Sequence, residues 1–459
     1  MPSLLSGLDM ARQALAAQQY ALSLTQRNVA HANDPYYTRE AAVFTSSISG
    51  GVSLGPRVYI EAARDHFLDY GINRELQMLG KAEVTSEALQ QIDALFRGSG
   101  GMDLQKAISD FFGSFTQLSS TPEDRILRQQ VLSKADVLAD TFHRLYSGMQ
   151  RVQMSQNEAV RYTVDEINSL TSQIAVLNRE IRAAQGSGSD EEFRLRDTRQ
   201  QALEQLSGLV DLTYYETDSG SITVMTQQWS LLVLEDRSHD FSTVTSTEGT
   251  LELRLNGENV TNAIESGKLA GLIDVRDNKI GAYLQALDDL AATLVSRVNE
   301  QHALGSDRDG LAGGDLFVPF VPPDPTSNAG AASSIKVAIT DPDRIAAAAA
   351  GAAAGNNENA KLIAAIADES LFGASQTANQ FLAALVYRIG SDGKAAGDEM
   401  LTQKDVLQSL SNLRSSLSGV NLDEEAINII KYQRAYQASA RYVGVLDSLT
   451  NEIIQILGA

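Results

Sequence analysis

Histidine and carboxylate side chains are the residues of this chain that could carry acid–base or metal chemistry. The five histidines lie far apart, and no two of them have the spacing of metal ligands. Adjacent carboxylates such as Asp288 and Asp289 point to different sides of a helix, whereas general acid–base catalysis needs two carboxyls that face one cleft. We therefore expect no enzymatic activity and no bound metal or cofactor.

Two further kinds of site are disfavoured by composition and spacing. Ser306–Gly310 resembles a calcium loop, but it lacks the third acidic ligand and the later glutamate, so a turn is predicted there. The chain has no cysteine, which removes zinc-thiolate sites, iron–sulfur clusters and cysteine nucleophiles.

Charge and hydropathy restrict the partners. Among the 459 residues, 37 Lys and Arg stand against 58 Asp and Glu, a net charge of −21, and this sign opposes binding to nucleic acid or to anionic lipid. No stretch reaches the roughly 18 apolar residues that a membrane helix needs. The N-terminus also lacks the basic start and apolar middle of a cleaved signal peptide. We expect neither a nucleic-acid nor a membrane partner.

The two ends of the chain carry the clearest periodicity. Residues 3–32 predict one long helix in which Leu8, Leu15, Leu22 and Val29 recur every seven residues. The pattern stops at Asn33-Asp34-Pro35, which has turn chemistry.

A second long helix is predicted from Asn421, a capping residue with Glu424 three positions later. Its apolar stripe includes Leu422, Ile429, Tyr436, Val443, Ile454 and Leu457, and a second stripe lies beside it, so the apolar face is wider than one partner helix can cover. Two interpretations stay open: a closed coiled coil within one chain, and terminal helices that order only when many copies pack side by side.

The middle of the chain changes character twice. Residues 41–60 alternate as strands do, 64–207 show helical periodicity with a start predicted at Thr121 and Pro122, and 209–260 predict strands at LVDLTYYE, SITVMT, WSLLVLE and TLELRLN. The predicted fold is mainly α with an inserted β domain. It has a terminal coiled-coil domain (1–40 plus 421–459), a helical-bundle body (41–208 plus 268–420) and a small, acidic, β-rich outer domain (209–267).

Several motifs resemble a known family. Asn33-Asp34-Pro35-Tyr36-Tyr37-Thr38-Arg39 is similar to the signature Asn-x-Pro-Gly-Tyr-x-Arg of bacterial flagellar rod, hook and hook-associated proteins, with Tyr36 in place of the usual glycine. The tail from Val420 to Ala438 is similar to their C-terminal signature. Interior segments resemble the hook-associated protein 1 (FlgK) family in particular: 122–132, 266–278, 299–302, 313–317, 341–346 and 357–360.

The resemblance implies a structural protein of the bacterial flagellum. It would be exported through the flagellar type III channel without a cleaved signal peptide and would form a ring at the junction between hook and filament. The implied partners are further copies of the chain, the hook protein, the second hook-associated protein and the filament, the filament cap, and a cytoplasmic export chaperone at the C-terminal helix. A tyrosine at position 36 would be strained if this position required a positive φ.

We place the assembly interface on the two terminal helices and the turn after the first one. The predicted assembly residues are Leu8, Leu15, Leu22, Val29, Asn33, Pro35, Tyr37, Arg39, Leu422, Ile429, Tyr436, Val443, Ile454 and Leu457.

Other functions stay possible at this point. Within the flagellar axis, the chain could be the second hook-associated protein or a flagellin, although the 266–302 motifs and the β insertion argue against both. A secreted cell-wall hydrolase has no supporting site, and a coiled-coil receptor is opposed by the lack of a membrane segment.

Overall fold

The computed structural model describes residues 2–49, 52–97, 104–185, 190–246, 249–321, 324, 327–373 and 375–457. Side chains are described over the same ranges except at 2–5, 46–49, 52–55, 97, 190, 454, 456 and 457.

Helices dominate the described chain. They are α1 (Pro2–Ala30), α2 (His66–Arg97), α3 (Leu104–Leu118), α4 (Arg125–Ala184), α5 (Asp190–Leu209), α6 (Gly267–Ile273), α7 (Ile280–Ala303), α8 (Ala331–Ser334), α9 (Glu358–Ala365), α10 (Ala378–Ser418) and α11 (Leu422–Leu457). A π-helical segment, Asp274–Lys279, joins α6 to α7, and short 3-10 turns lie at Thr261–Ala263, Pro342–Arg344 and Ile366–Asp368.

The described strands form small antiparallel sheets. They are β1 (Glu40–Ser49), β2 (Val52–Ala62), β3 (Thr213–Glu216), β4 (Ile222–Met225), β5 (Leu231–Leu234), β6 (Arg237–Ser238), β7 (Phe241–Thr245), β8 (Leu251–Leu255), β9 (Glu258–Asn259), β10 (Gly305–Ser306) and β11 (Ala348–Ala349). The sheet orders are β1-β2, β3-β4-β5-β6, β7-β8-β9 and β10-β11.

Two large apolar cores hold the body together, and α4 runs through both. Its N-terminal half packs with α3, α7, α9, α10 and the second half of α2, around phenylalanines such as Phe111, Phe115 and Phe142. Its C-terminal half packs with α5, α6 and strands β4 to β8. The inserted strands therefore share their core with helices on either side of them in the sequence.

The mainly helical fold with an inserted β segment is confirmed. The four strand runs that were predicted between 209 and 260 correspond to β3, β4, β5 and β8. The helix start predicted at Thr121 is wrong: α4 begins at Arg125, and the Asp124 side chain caps it by accepting the Ile126 N–H at 2.7 Å.

Arg128 explains why the chain turns at Pro122 before α4 begins. This buried guanidinium donates to the carbonyl oxygens of Pro122 and Ile345, both at 2.7 Å. Burial lowers the pKa of Arg128. Two of the segments that carry the family resemblance, 122–132 and 341–346, are thereby tied together.

A separate unit is formed by the ends of the chain, and we call α1, β1, β2 and α11 the terminal unit. α1 packs along α11 and against the β1–β2 hairpin. Gly7 lies against Leu446, whereas Arg39, just after α1, contacts Glu425 in the first turn of α11. The two helices are therefore antiparallel.

Candidate assembly interface

The buried side chains of α1 are mostly small. Residues 7, 11, 17, 21, 24, 25 and 28 are buried between α11 and the β1–β2 hairpin, and Leu24 is the large apolar residue among them. A Cβ at Gly7 would lie 3.7 Å from Leu446 Cδ1, so the two helices approach closely at this end. On α11, the described buried apolar residues are Tyr432 and Leu446.

The leucines predicted for this interface are not fully buried in the single chain, and their part in an assembly stays a prediction. Leu8, Leu15 and Leu22 are half-buried on the flank of α1, and Val29 is 38% exposed. The prediction gave weight to the largest apolar residues, whereas most fully buried positions of α1 hold small residues, at 7, 11, 17, 21 and 25.

The residues predicted on α11 divide in the same way. Ile429 and Val443 are half-buried on the side that faces α1. Leu422 and Tyr436 are exposed, at 55% and 40%. The side chains of Ile454 and Leu457 lie outside the described residues. Whether these positions meet a neighbouring subunit stays a prediction.

A second apolar row on α11 has no partner within the described part of the chain. Its members alternate at helical spacing along the outer face and are each more than two-fifths exposed: Ile427, Ile430, Tyr442, Val445 and Leu449. Burying such a side chain is worth about 1.5–3 kcal/mol relative to leaving it exposed. The predicted excess width of the apolar face is therefore present in the structure.

The turn after α1 is ordered by Asn28 and Asp34. The Tyr37 hydroxyl donates to Asn28 Oδ1 at 2.7 Å, and Asn28 Nδ2 donates to the Glu40 carbonyl at 2.8 Å. Burial, followed by the nearby Glu40 carboxylate, raises the pKa of the Tyr37 phenol. Sequence reasoning missed Asn28, which lies inside the helix and before the signature.

Tyr36 is accommodated without left-handed backbone. The described non-glycine residues with positive φ are Trp229, Glu235, Asn256 and Ser375. The Asp34 carboxylate accepts the Tyr36 N–H at 3.0 Å and so makes the turn. The expected strain at Tyr36 is thus absent, and Asn33 and Pro35 of the signature are exposed.

Arg39 is the signature residue that links the two ends of the chain. Its guanidinium lies 2.8 Å from a carboxylate oxygen of Glu424 and 2.8 Å from one of Glu425. The predicted cap is confirmed at the same place, because Asn421 Oδ1 accepts the Asp423 N–H at 3.0 Å.

Four of the groups first considered for chemistry, His302, Asp288, Asp289 and Asp307, have structural partners. His302 is buried between the Gly314 carbonyl and the Ala346 N–H, and burial lowers its pKa. Asp288 accepts two backbone N–H groups, whereas Asp289 binds Asn328. In 306–310, Asp307 accepts backbone N–H groups within its own turn.

The described ranges contain neither a metal-binding cluster nor a helix suited to span a membrane. No group of three or more His, Asp or Glu side chains there is arranged to hold a metal ion. None of the helices described combines the length and apolar character required to cross a bilayer.

Comparison with known proteins gives consistent matches along the chain. The model of the flagellar hook-associated protein FlgK helical domain matches residues 89–317, and that of the flagellar basal body rod FlgEFG protein C-terminal region matches 414–456. The chain is 28% identical to flagellar hook-associated protein 1 of Bacillus subtilis, over 100% of this chain and 99% of that protein. It is 24% identical to flagellar hook-associated protein 1 of Escherichia coli, over 98% and 99% of the two chains.

A solved structure shows the same fold. The flagellar hook junction protein FlgK from Burkholderia pseudomallei aligns with a TM-score of 0.68 at 17% identity, over 76% of this chain and 100% of that one. With both family models matching in order and relatives aligned end to end, the chain belongs to the flagellar hook-associated protein 1 (FlgK) family.

Proposed function

We propose that this chain forms the ring that joins the flagellar hook to the filament. The observation that carries the proposal is the unpartnered apolar row on α11, which lies on a terminal unit whose inner face is already used by α1. A surface of this kind is stable in water when another chain covers it. A further copy of the chain, offset by rotation around the flagellar axis, would do so.

The contact between copies is head-to-tail. One surface of the terminal unit meets a different surface of the next copy, and repetition of such a contact generates a ring or a helical turn and not a closed dimer. Val29, Leu422 and Tyr436, which are exposed in the single chain, are assigned to this contact. The predicted terminal domain (1–40 plus 421–459), with β1 and β2 added because they pack on α1, lies at the axis in this proposal, and the acidic strand-rich segment (209–267) faces solvent.

The partners follow from this position. The hook protein lies on one side of the ring, the second hook-associated protein and filament lie on the other, and the filament cap assembles on it. An export chaperone would cover the α11 row in the cytoplasm, because an exposed apolar row is an aggregation hazard before assembly. The chain acts outside the cell after type III export, without a cleaved signal peptide, and its role is structural and not catalytic.

A flagellin or second hook-associated protein is the alternative within the flagellar axis. The match of half the chain to the FlgK helical domain supports the junction role over both.

Complementation tests the proposal. A strain that lacks this protein should regain filaments with the wild-type chain but not with Val445→Asp, which places a charge in the outer α11 row. Met154→Asp is the matched control, because Met154 is an apolar residue of comparable exposure, 63% against 56% for Val445, and lies on α4 of the body. Filaments restored by Val445→Asp, at an export level equal to wild type, would contradict the assembly role of the row.

A further inference from the structure

The terminal unit is attached to the rest of the molecule in an unusual way. Its helices and strands pack on one another, and within the described residues none of them packs extensively against α2 to α10 or the other sheets. Two chain segments connect the unit to this body, at residues 63–65 and 419–421, and a loop within the unit, 31–39, joins α1 to β1. We call 31–39, 63–65 and 419–421 the first, second and third linker. The orientation of the unit therefore depends on what holds these three linkers.

The first linker is hydrogen-bonded to its neighbours. The Arg39 N–H donates at 2.9 Å to the carbonyl of Ser418, the last residue of α10, and the Ala63 N–H donates to the Arg39 carbonyl at 3.0 Å. These backbone bonds join the first linker to the second linker and to the end of α10.

One carboxylate of the body holds the first two linkers. Asp197, on α5, accepts the Thr38 N–H at 3.2 Å, the Thr38 hydroxyl at 2.9 Å and the Arg64 guanidinium at 2.6 Å. Arg64 in turn donates to the Thr38 hydroxyl at 3.2 Å. Asp197 and Arg64 are mostly buried, so these bonds are shielded from water.

A second carboxylate on α5 holds the end of α10, next to the third linker. Glu204 lies two helical turns after Asp197 and pairs with Arg414. The Arg414 guanidinium also lies 5.9 Å above the Tyr36 ring, which belongs to the first linker. The attachment is therefore made by ions and hydrogen bonds and not by an apolar core.

Open space surrounds the same linkers. A cleft of about 300 Å³ lies on the side of Arg64, Gln200 and Arg414, and another of about 290 Å³ lies on the side of Arg27, Glu191 and Asp197. The segment from His31 to Tyr37 borders both clefts. The first linker thus has room to move to either side.

We propose that the cluster of Thr38, Arg64, Asp197, Glu204 and Arg414 is a locking hinge that sets the angle between the terminal unit and the body. Breaking its directional bonds frees the angle without exposing an apolar core, so the body stays folded when the hinge opens. Hinges of this type let two rigid parts adopt discrete relative positions. The hinge lets the body change its tilt while the terminal unit stays in place. This inference does not depend on the proposed role at the junction.

Distance measurements between spin labels test the hinge in the full-length chain. The chain has no cysteine, so Gln19→Cys on α1 and Ser155→Cys on α4, both exposed, are the sole labelling sites. The labelled wild type should give one narrow distance distribution. Asp197→Ala should broaden it at least twofold, with an unchanged midpoint of thermal unfolding for the body.

Two further variants control for the loss of any ion pair and for misfolding of Asp197→Ala. Lys394→Ala removes an exposed ion pair with Asp398 on α10 and should leave the distribution narrow. Asp197→Asn keeps an acceptor oxygen for Thr38 but loses the charge, and it should broaden the distribution even if Asp197→Ala fails to fold. A narrow distribution in every folded Asp197 variant, or a wild-type distribution as broad as theirs, would overturn the proposal.

Discussion

Arg39 pairs with Glu425, 386 residues later in the sequence, through a contact of 2.8 Å between Nε and a carboxylate oxygen. Glu425 is 2% exposed, whereas its neighbour Glu424, which binds the same guanidinium at 2.8 Å, is 55% exposed. One arginine of the N-terminal signature thus holds the start of the last helix through a buried and an exposed carboxylate.

The two glutamates should differ in their effect on the terminal unit. Glu425→Ala leaves Arg39 without its buried partner, and we expect a loss of about 2 kcal/mol, below the roughly 3–5 kcal/mol for a fully buried pair because Arg39 stays partly solvated. Glu424→Ala should cost less than about 1 kcal/mol. Hydrogen exchange of the α11 amides measures both losses, and equal losses in the two variants would contradict the assignment.

Gly267 should not tolerate a side chain. Its φ is +81°, and a Cβ there would lie 2.5 Å from the Val210 backbone nitrogen, where α6 begins against the end of α5. Gly267→Ala should destabilise the folded chain by about 2–4 kcal/mol. Denaturant unfolding followed by circular dichroism measures the change.

Gly281 is the matched control for Gly267. It lies in α7, and a Cβ there would meet no atom within 4 Å. Gly281→Ala should stabilise the chain by about 0.5–1 kcal/mol through helix propensity. A Gly267→Ala variant as stable as Gly281→Ala would show that the close approach of α5 and α6 is misplaced.

Trp229 carries backbone strain that its side chain does not offset. Its φ is +65°, in a turn between β4 and β5, and the side chain is 75% exposed. A left-handed conformation costs an L-residue about 1–2 kcal/mol, so Trp229→Gly should raise the free energy of unfolding by about 1 kcal/mol. Trp229→Ala keeps the strain and should give no such gain; an equal gain from both would attribute the effect to the indole ring.

Asp211 should make the folded chain sensitive to pH. It is fully buried beside the start of β3, and burial raises its pKa from 3.8 to about 6, although the backbone N–H groups of Glu265 and Gln227 oppose the shift. Since the ionised form is disfavoured in the folded chain, stability is lost as the pH rises from about 4 to about 6. The full penalty, at most about 3 kcal/mol, is present above that range.

Removing the charge tests this assignment. Asp211→Asn should be more stable than the wild type near pH 7 and should match it near pH 4, within about 0.5 kcal/mol. Denaturant titrations across this range give the comparison. Parallel pH profiles for the two proteins would mean that the pKa of Asp211 is the same in the folded and unfolded states.

Local patterns in the sequence were sufficient for the fold class but not for the contacts. The long terminal helices and the strands β3, β4, β5 and β8 follow from periodicity over many residues. The start of α4 was misplaced because Thr121 and Pro122 match a helix start as well as Asp124 does. The choice depends on Arg128, whose partner Ile345 is more than 200 residues away.

The interface residues show the same limit. A helix wheel identifies an apolar face, but tertiary packing decides which positions are fully buried, and on α1 these include Gly7 and Ala21, whereas Leu8 and Leu22 are half-buried. The bond between Thr38 and Asp197 spans 159 residues. No local pattern marks either residue as a partner of the other. Thr38 stands at a variable position of the signature, and Asp197 is one of several charged residues on α5.

Localisation tests the central proposal most directly. Antibody against residues 209–260, applied to intact flagella and visualised with gold by electron microscopy, should give one compact band where the hook meets the filament. Label spread along the filament would contradict the junction role and favour a flagellin. Flagella without any label, on cells that export the chain, would contradict its place in the flagellar axis.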